Sequence, residues 1–118
     1  KLAGKYRKIH LFSLLGEDRA FSGGDSWLLA DTSIGKVGVI ICYDLRFPVW
    51  SRDPQNTDLL LYTANWPAAR RNHWNRLLPA RAIENLCYVA AVNRVGEDGK
   101  VELQNEIRGE RRNHPVIP

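Results

Sequence analysis

Apolar positions along this chain fall into blocks of two kinds. Val37, Val39, Ile40 and Ile41 form a β-branched run broken only by Gly38, and Leu59-Leu-Leu-Tyr62 forms a second run. Such runs suit strands buried on both faces of a sheet. Trp27-Leu-Leu-Ala-Asp-Thr-Ser33 and Cys87-Tyr-Val-Ala-Ala-Val-Asn93 predict two more strands, and Ile34-Gly35 is placed to fold the first of these back onto residues 37–41 as a hairpin. Near the start, Tyr6, Lys8, His10 and Phe12 alternate with Arg7, Ile9 and Leu11. That period is strand-like and sets Lys8 and His10 on one face. From His73 to Leu86 the period lengthens: Trp74, Leu77, Leu78, Ala82 and Leu86 share one face of a predicted helix, with Arg81 and Glu84 off it and able to brace neighbouring loops. Pro79 suits that helix if it caps near Asn75, whereas an earlier start puts the proline in its interior. Residues 14–19 and 21–25 read as loops, 46–53 as a short helix with Pro48 in its first turn, 96–99 as a turn and 101–107 as a weakly patterned strand. Residues 108–118 are charged and irregular.

Strands alternating with helices predict an α/β sheet. Two of the buried runs end abruptly in polar and aromatic groups, Cys42-Tyr-Asp-Leu-Arg-Phe-Pro48 and Asn65-Trp66-Pro67. In open α/β sheets, ligands bind where strands end at their carboxyl edge. Cys42 is therefore a candidate nucleophile, with backbone N–H groups in the turn after it available to an oxyanion. The competing reading of a lone cysteine at the end of a strand is a small buried hydrophobe.

Composition narrows the classes. The chain has 118 residues, enough for one small domain, with a net charge of +4. Basic and acidic residues alternate except at Arg70-Arg71 and Arg111-Arg112, so no nucleic-acid surface is expected. No apolar run approaches a membrane span and no secretory leader pattern opens the sequence, so no membrane association is expected and the expected location is cytoplasmic. Two cysteines without CxxC spacing, and His10, His73 and His114 scattered along the chain, predict neither a disulfide scaffold nor a metal site. The sequence opens at Lys1 and holds no methionine, and it is read as an internal piece of a longer chain.

Tyr6-Arg-Lys-Ile-His-Leu-Phe12, Gly38-Val-Ile-Ile-Cys-Tyr-Asp-Leu-Arg-Phe-Pro48, Ala64-Asn-Trp-Pro67 and Arg81-Ala-Ile-Glu-Asn85, in this order, resemble the carbon–nitrogen hydrolases of the nitrilase superfamily. The run from His73 to Gly96 is most similar to bacterial omega-amidases. The likeness covers residues 5–99, and residues 101–118 match poorly. It implies that residues 1–118 are a partial domain within an α-β-β-α four-layer sandwich. It also implies a Glu–Lys–Cys triad with Cys42 as nucleophile and Lys8 as the triad lysine. Glu17 matches a second carboxylate near the site, and the triad glutamate belongs to a family segment outside this sequence.

The implied activity is hydrolysis of a small carboxylate-bearing amide of the 2-oxoglutaramate type through a thioester, with no cofactor and in a homodimer or higher homo-oligomer. Deaminated-glutathione amidase, N-carbamoyl amidohydrolase and a catalytically silent binding protein are the alternatives. A cation about 4 Å from a thiolate contributes roughly 4 kcal/mol at an intermediate dielectric, so Lys8 is expected to favour the Cys42 thiolate. Tyr43, Phe47 and Trp66 are candidate apolar walls for substrate. Arg46 either holds a substrate carboxylate or pairs with Asp44.

Overall fold

The computed structural model describes residues 2–52 and 57–96. Their frame is a four-stranded sheet in the order β1-β2-β3-β4, with β1 Leu29–Thr32, β2 Gly35–Ile41, β3 Leu59–Ala64 and β4 Tyr88–Asn93. The expected hairpin is present: β1 pairs antiparallel with β2, Thr32 opposite Gly35. Gly35 takes a φ of 112°, which only glycine adopts without strain, and the Thr32 hydroxyl donates to its carbonyl at 2.7 Å. The pairs β2–β3 and β3–β4 are parallel, with Ile41 opposite Thr63 and Ala64 opposite Asn93. Three strands therefore end side by side, and Cys42, Asn65 and Arg94 follow them at one edge.

The long helix, α3 (Arg71–Asn85), crosses from β3 to β4 and covers one face of the sheet. Trp74, Leu78 and Ala82 from α3 pack with Ile40, Leu60, Tyr62, Val89 and Ala91. Burial alternates along β3: Leu60 and Tyr62 are fully buried, while Leu59 and Leu61 are half-covered and Thr63 is exposed. Among the described residues, one face of β3 is closed and the other is half-covered. Of the described helices, α3 covers the face carrying the even-numbered β3 residues. The described residues form one sheet layer and one helix layer. None of their helices is long and apolar enough to cross a membrane.

Three local expectations change. Helix α3 begins at Arg71, so Pro79 is interior and cannot donate to the Asn75 carbonyl. Residues 14–19 are not plain loop: a 3₁₀ turn (Ser13–Leu15) leads through Gly16 into α1 (Glu17–Ala20). Residues 6–12 are not a strand, since their backbone groups bond elsewhere. The N–H groups of Ile9 and His10 donate to the Asp44 carboxylate at 3.4 and 2.8 Å, and that of Phe12 to Glu17 at 2.7 Å. The Lys8 carbonyl accepts from Gly24 N–H at 2.8 Å. The short helix after the cysteine is α2 (Pro48–Ser51), with proline in its first turn as expected. The turn expected at 96–99 lies outside the described residues beyond Gly96, as does the strand expected at 101–107.

Candidate active site

The site begins with the way β2 ends. Cys42 has a φ of 46°, a left-handed conformation that costs a non-glycine residue about 1–2 kcal/mol. It breaks the strand and starts a 3₁₀ turn, Cys42–Arg46. The turn is held from behind. Arg81, almost fully buried, donates from Nε and Nη2 to the Leu45 carbonyl at 3.2 and 2.7 Å and from Nη1 to Glu84 at 3.0 Å. Arg81 and Glu84 do brace a neighbouring loop, and that loop carries the cysteine.

From the front, Asp44 gathers the chain that carries Lys8. Its carboxylate is fully buried and accepts the Tyr6 hydroxyl, the His10 backbone N–H and His10 Nδ1, each at 2.8 Å. His10 in turn stacks on Phe47, ring centroids 3.6 Å apart. Asp44 therefore serves the Lys8 segment rather than pairing with Arg46. The Arg46 guanidinium lies 5.0 Å over the Trp66 ring and bonds His73 Nδ1 at 2.9 Å. A close approach fixes the other side of the segment. A Cβ on Gly24 would lie 2.3 Å from the Arg7 carbonyl oxygen, so only glycine lets the 23–24 turn close onto Arg7 and Lys8.

These contacts place Lys8, Glu17, Cys42, Tyr43, Arg46 and Trp66 around one cavity of about 360 Å³. Phe47 does not line it; with its ring edge-on to Tyr43, it backs the wall. Phe12, Asn65 and Arg70 also line the cavity and were not singled out as site residues from sequence. Phe12 and Asn65 appeared there only within the longer motifs 6–12 and 64–67, and Arg70 as half of the Arg70-Arg71 pair. The floor is tied together by Asn93, whose side chain accepts Trp66 N–H at 2.7 Å and donates to the Trp66 carbonyl at 3.0 Å.

Lys8 Nζ lies 2.5 Å from Glu17 Oε2, which also accepts Phe12 N–H. Burial alone would push the Glu17 carboxyl up. The Lys8 hydrogen bond, the Phe12 N–H and the Lys8 charge outweigh it, and the group is held below its ordinary value. At Cys42 the balance falls the other way. Burial pushes the thiol up, and the Glu17 charge adds to that push. Backbone hydrogen bonding at Asn65 and Tyr43 and the Lys8 charge pull it down by less. Lys8 favours the thiolate as expected, but Glu17 partly cancels its charge and desolvation outweighs it. The S–H donates toward the Asn65 carbonyl at 3.8 Å. Among the described residues no group of His, Cys, Asp or Glu side chains is arranged to hold a metal ion.

The carbon–nitrogen hydrolase family matches residues 1–109. This chain belongs to that family. It is 52% identical over 94 residues to the omega-amidase YafV of Yersinia enterocolitica, a match covering 80% of this chain and 37% of the relative. It is 43% identical over 96 residues to the 2-oxoglutaramate amidase of Bacillus subtilis, again covering 80% of this chain and 37% of the relative. Among solved structures, a CN-hydrolase superfamily protein of Xanthomonas campestris with an arsenic adduct in its active site superposes with a TM-score of 0.75. That match is 44% identical and covers 86% of this chain and 40% of the other. The chain thus spans well under half the length of these relatives. The α/β fold and the nitrilase-superfamily membership expected from the sequence are both found.

Proposed function

We propose that the protein containing this chain hydrolyses the terminal amide of a small carboxylic acid, with Cys42 as nucleophile. The supporting observation is that Cys42, the Lys8–Glu17 pair and Arg46 line a single cavity. Relatives named omega-amidase and 2-oxoglutaramate amidase support the same substrate class. Cys42 gives its proton to a carboxylate base, and its sulfur attacks the amide carbon. The carbonyl electron pair moves onto oxygen. The Lys8 ammonium and the Tyr43 N–H, which faces the sulfur, receive that developing charge. The C–N bond then breaks, and the protonated base supplies the proton with which ammonia departs. Water, deprotonated by the same base, attacks the thioester and releases the acid and the thiol.

In the family pattern the base is a glutamate outside this sequence. Within the chain, Glu17 Oε2 is already engaged by Lys8 and Phe12, so Glu17 serves to hold and orient the lysine. Arg46, stacked on Trp66, binds the substrate carboxylate.

Comparing turnover of 2-oxoglutaramate, a neutral aliphatic amide and a nitrile by the full-length protein tests this reading. The acid amide should have the highest kcat/KM, and Arg46→Ala should reduce it. Equal turnover of all three, unaffected by Arg46→Ala, would overturn it.

A further inference from the structure

Arg70 is the cavity-lining group with no role so far. It ends a 3₁₀ turn, Ala68–Arg70, and is the cap residue of α3, whose N-terminus has no side-chain cap. Its guanidinium lies 5.3 Å over the Phe12 ring, and its carbonyl accepts Trp66 Nε1 at 2.8 Å. Arg46 covers the face of that same indole. Two arginines therefore flank Trp66, one stacked on its face and the other attached to its edge.

Among the described residues, the charges lining the cavity do not balance. Lys8, Arg46 and Arg70 face one lining carboxylate among the described residues, Glu17, which Lys8 occupies. Among the described residues, no carboxylate lies within ion-pair distance of Arg46 or Arg70. The guanidinium carbons of Arg46 and Arg70 lie over the Trp66 and Phe12 rings, and apart from the Arg46 Nη2 contact to His73 Nδ1 their N–H groups can meet an anion. The uncapped positive end of α3 adds to the same field. A neutral ligand filling this cavity would strip water from two cations and give nothing back.

We propose that Arg70 is a second anion-reading residue, acting with Arg46 to select substrates whose non-reacting end is a carboxylate. This rests on the proposed amidase function and assigns Arg70 as a specificity determinant within it. The competing role for Arg70 is to prop Phe12, whose N–H holds Glu17. The two roles separate kinetically. An anion reader changes the discrimination between charged and neutral substrates, whereas a prop changes turnover of both alike.

The experiment uses the full-length protein with succinamate and butyramide, an anionic and a neutral amide of equal chain length. The readout is the ratio of their kcat/KM values. Wild type should favour succinamate. Arg70→Gln should reduce the ratio by roughly 10- to 100-fold, mainly through KM, the effect of losing a hydrogen bond to a charged partner. Arg70→Lys should restore part of it. If Arg70→Gln does not fold, Arg70→Met keeps an apolar stem over Phe12 and should show the same loss of ratio. An unchanged ratio in the glutamine or methionine variant, with both substrates slowed alike, would overturn the assignment. If wild type prefers succinamate and Arg46→Gln abolishes the preference while Arg70→Gln leaves it, this inference alone falls. If wild type shows no preference, the carboxylate-directed function falls and takes this inference with it.

Discussion

Replacing Asp44 should uncouple the two halves of the site. The carboxylate is fully buried and accepts from the Tyr6 hydroxyl, the His10 N–H and His10 Nδ1 at 2.8 Å, with a weaker contact to Ile9 N–H at 3.4 Å. Asp44→Ala leaves all of these groups without that acceptor. A buried donor without a partner costs about 1–3 kcal/mol. The partners here are only part-buried, and water repays some of the loss, so the lower half of that range applies to each strong contact. The three strong contacts sum to about 3–6 kcal/mol, in line with breaking one side of a buried charged network.

Asp44→Asn keeps one carbonyl oxygen, enough for His10. Its amide nitrogen then faces the Tyr6 hydroxyl, which already accepts Trp50 Nε1 at 3.0 Å and would have to turn its own proton away. About half the cost is expected. Urea unfolding measures both, and the midpoint should fall in the order wild type, Asn, Ala with the slope unchanged. Turnover should fall with it by at least about tenfold in the alanine variant, since Lys8 sits two residues from His10 and misplacement of a catalytic group by 1 Å costs up to about 10²-fold. A wild-type midpoint and wild-type kcat in Asp44→Ala would refute the claim that this carboxylate fixes Lys8 relative to Cys42.

Burial raises the Cys42 thiol above its ordinary value, so less thiolate is present at neutral pH than in an unfolded chain; iodoacetamide labelling of Cys42 should climb with pH through a midpoint above that of a small thiol. Glu17→Gln removes the anion that offsets Lys8, so it should lower that midpoint and speed labelling while slowing turnover; slower labelling would instead make Glu17 the base. Gly24→Ala sets a Cβ 2.3 Å from the Arg7 carbonyl oxygen and should cost about 1–3 kcal/mol together with a loss of kcat, and unchanged unfolding and kinetics would refute the close approach. Leu86 closes α3 at a φ of 52° with 93% of its surface exposed, so Leu86→Gly should stabilise by about 1 kcal/mol in the same urea experiment, and any destabilisation would contradict the capping role.

The strands were legible because their β-branched runs and the Ile34-Gly35 turn are local signals. The position of Cys42 at a strand end followed from where the apolar run stops. Legibility failed where side chains replaced backbone partners. The alternation in residues 6–12 looks like a strand, but its N–H groups are claimed by Asp44 and Glu17, acceptors that pattern alone does not locate. For the same reason Asp44, two residues before Arg46 in sequence, seemed its natural partner, yet the 3₁₀ turn sends the two side chains in different directions. Arg70 was hidden because its place in the cavity depends on α3 starting at Arg71, where the apolar face set by Trp74 had suggested His73. The rise of the Cys42 thiol was hidden too, since it turns on burial outweighing a nearby cation.

The central claim is that Cys42 carries the acyl group. Mixing the full-length protein with excess succinamate, quenching in acid and mapping peptides by mass spectrometry tests it most directly. The account predicts a succinyl thioester on the peptide containing Cys42, none on the peptide containing Cys87, and loss of both the adduct and ammonia release in Cys42→Ala. An adduct on Cys87, or ammonia release that persists in Cys42→Ala, would contradict it.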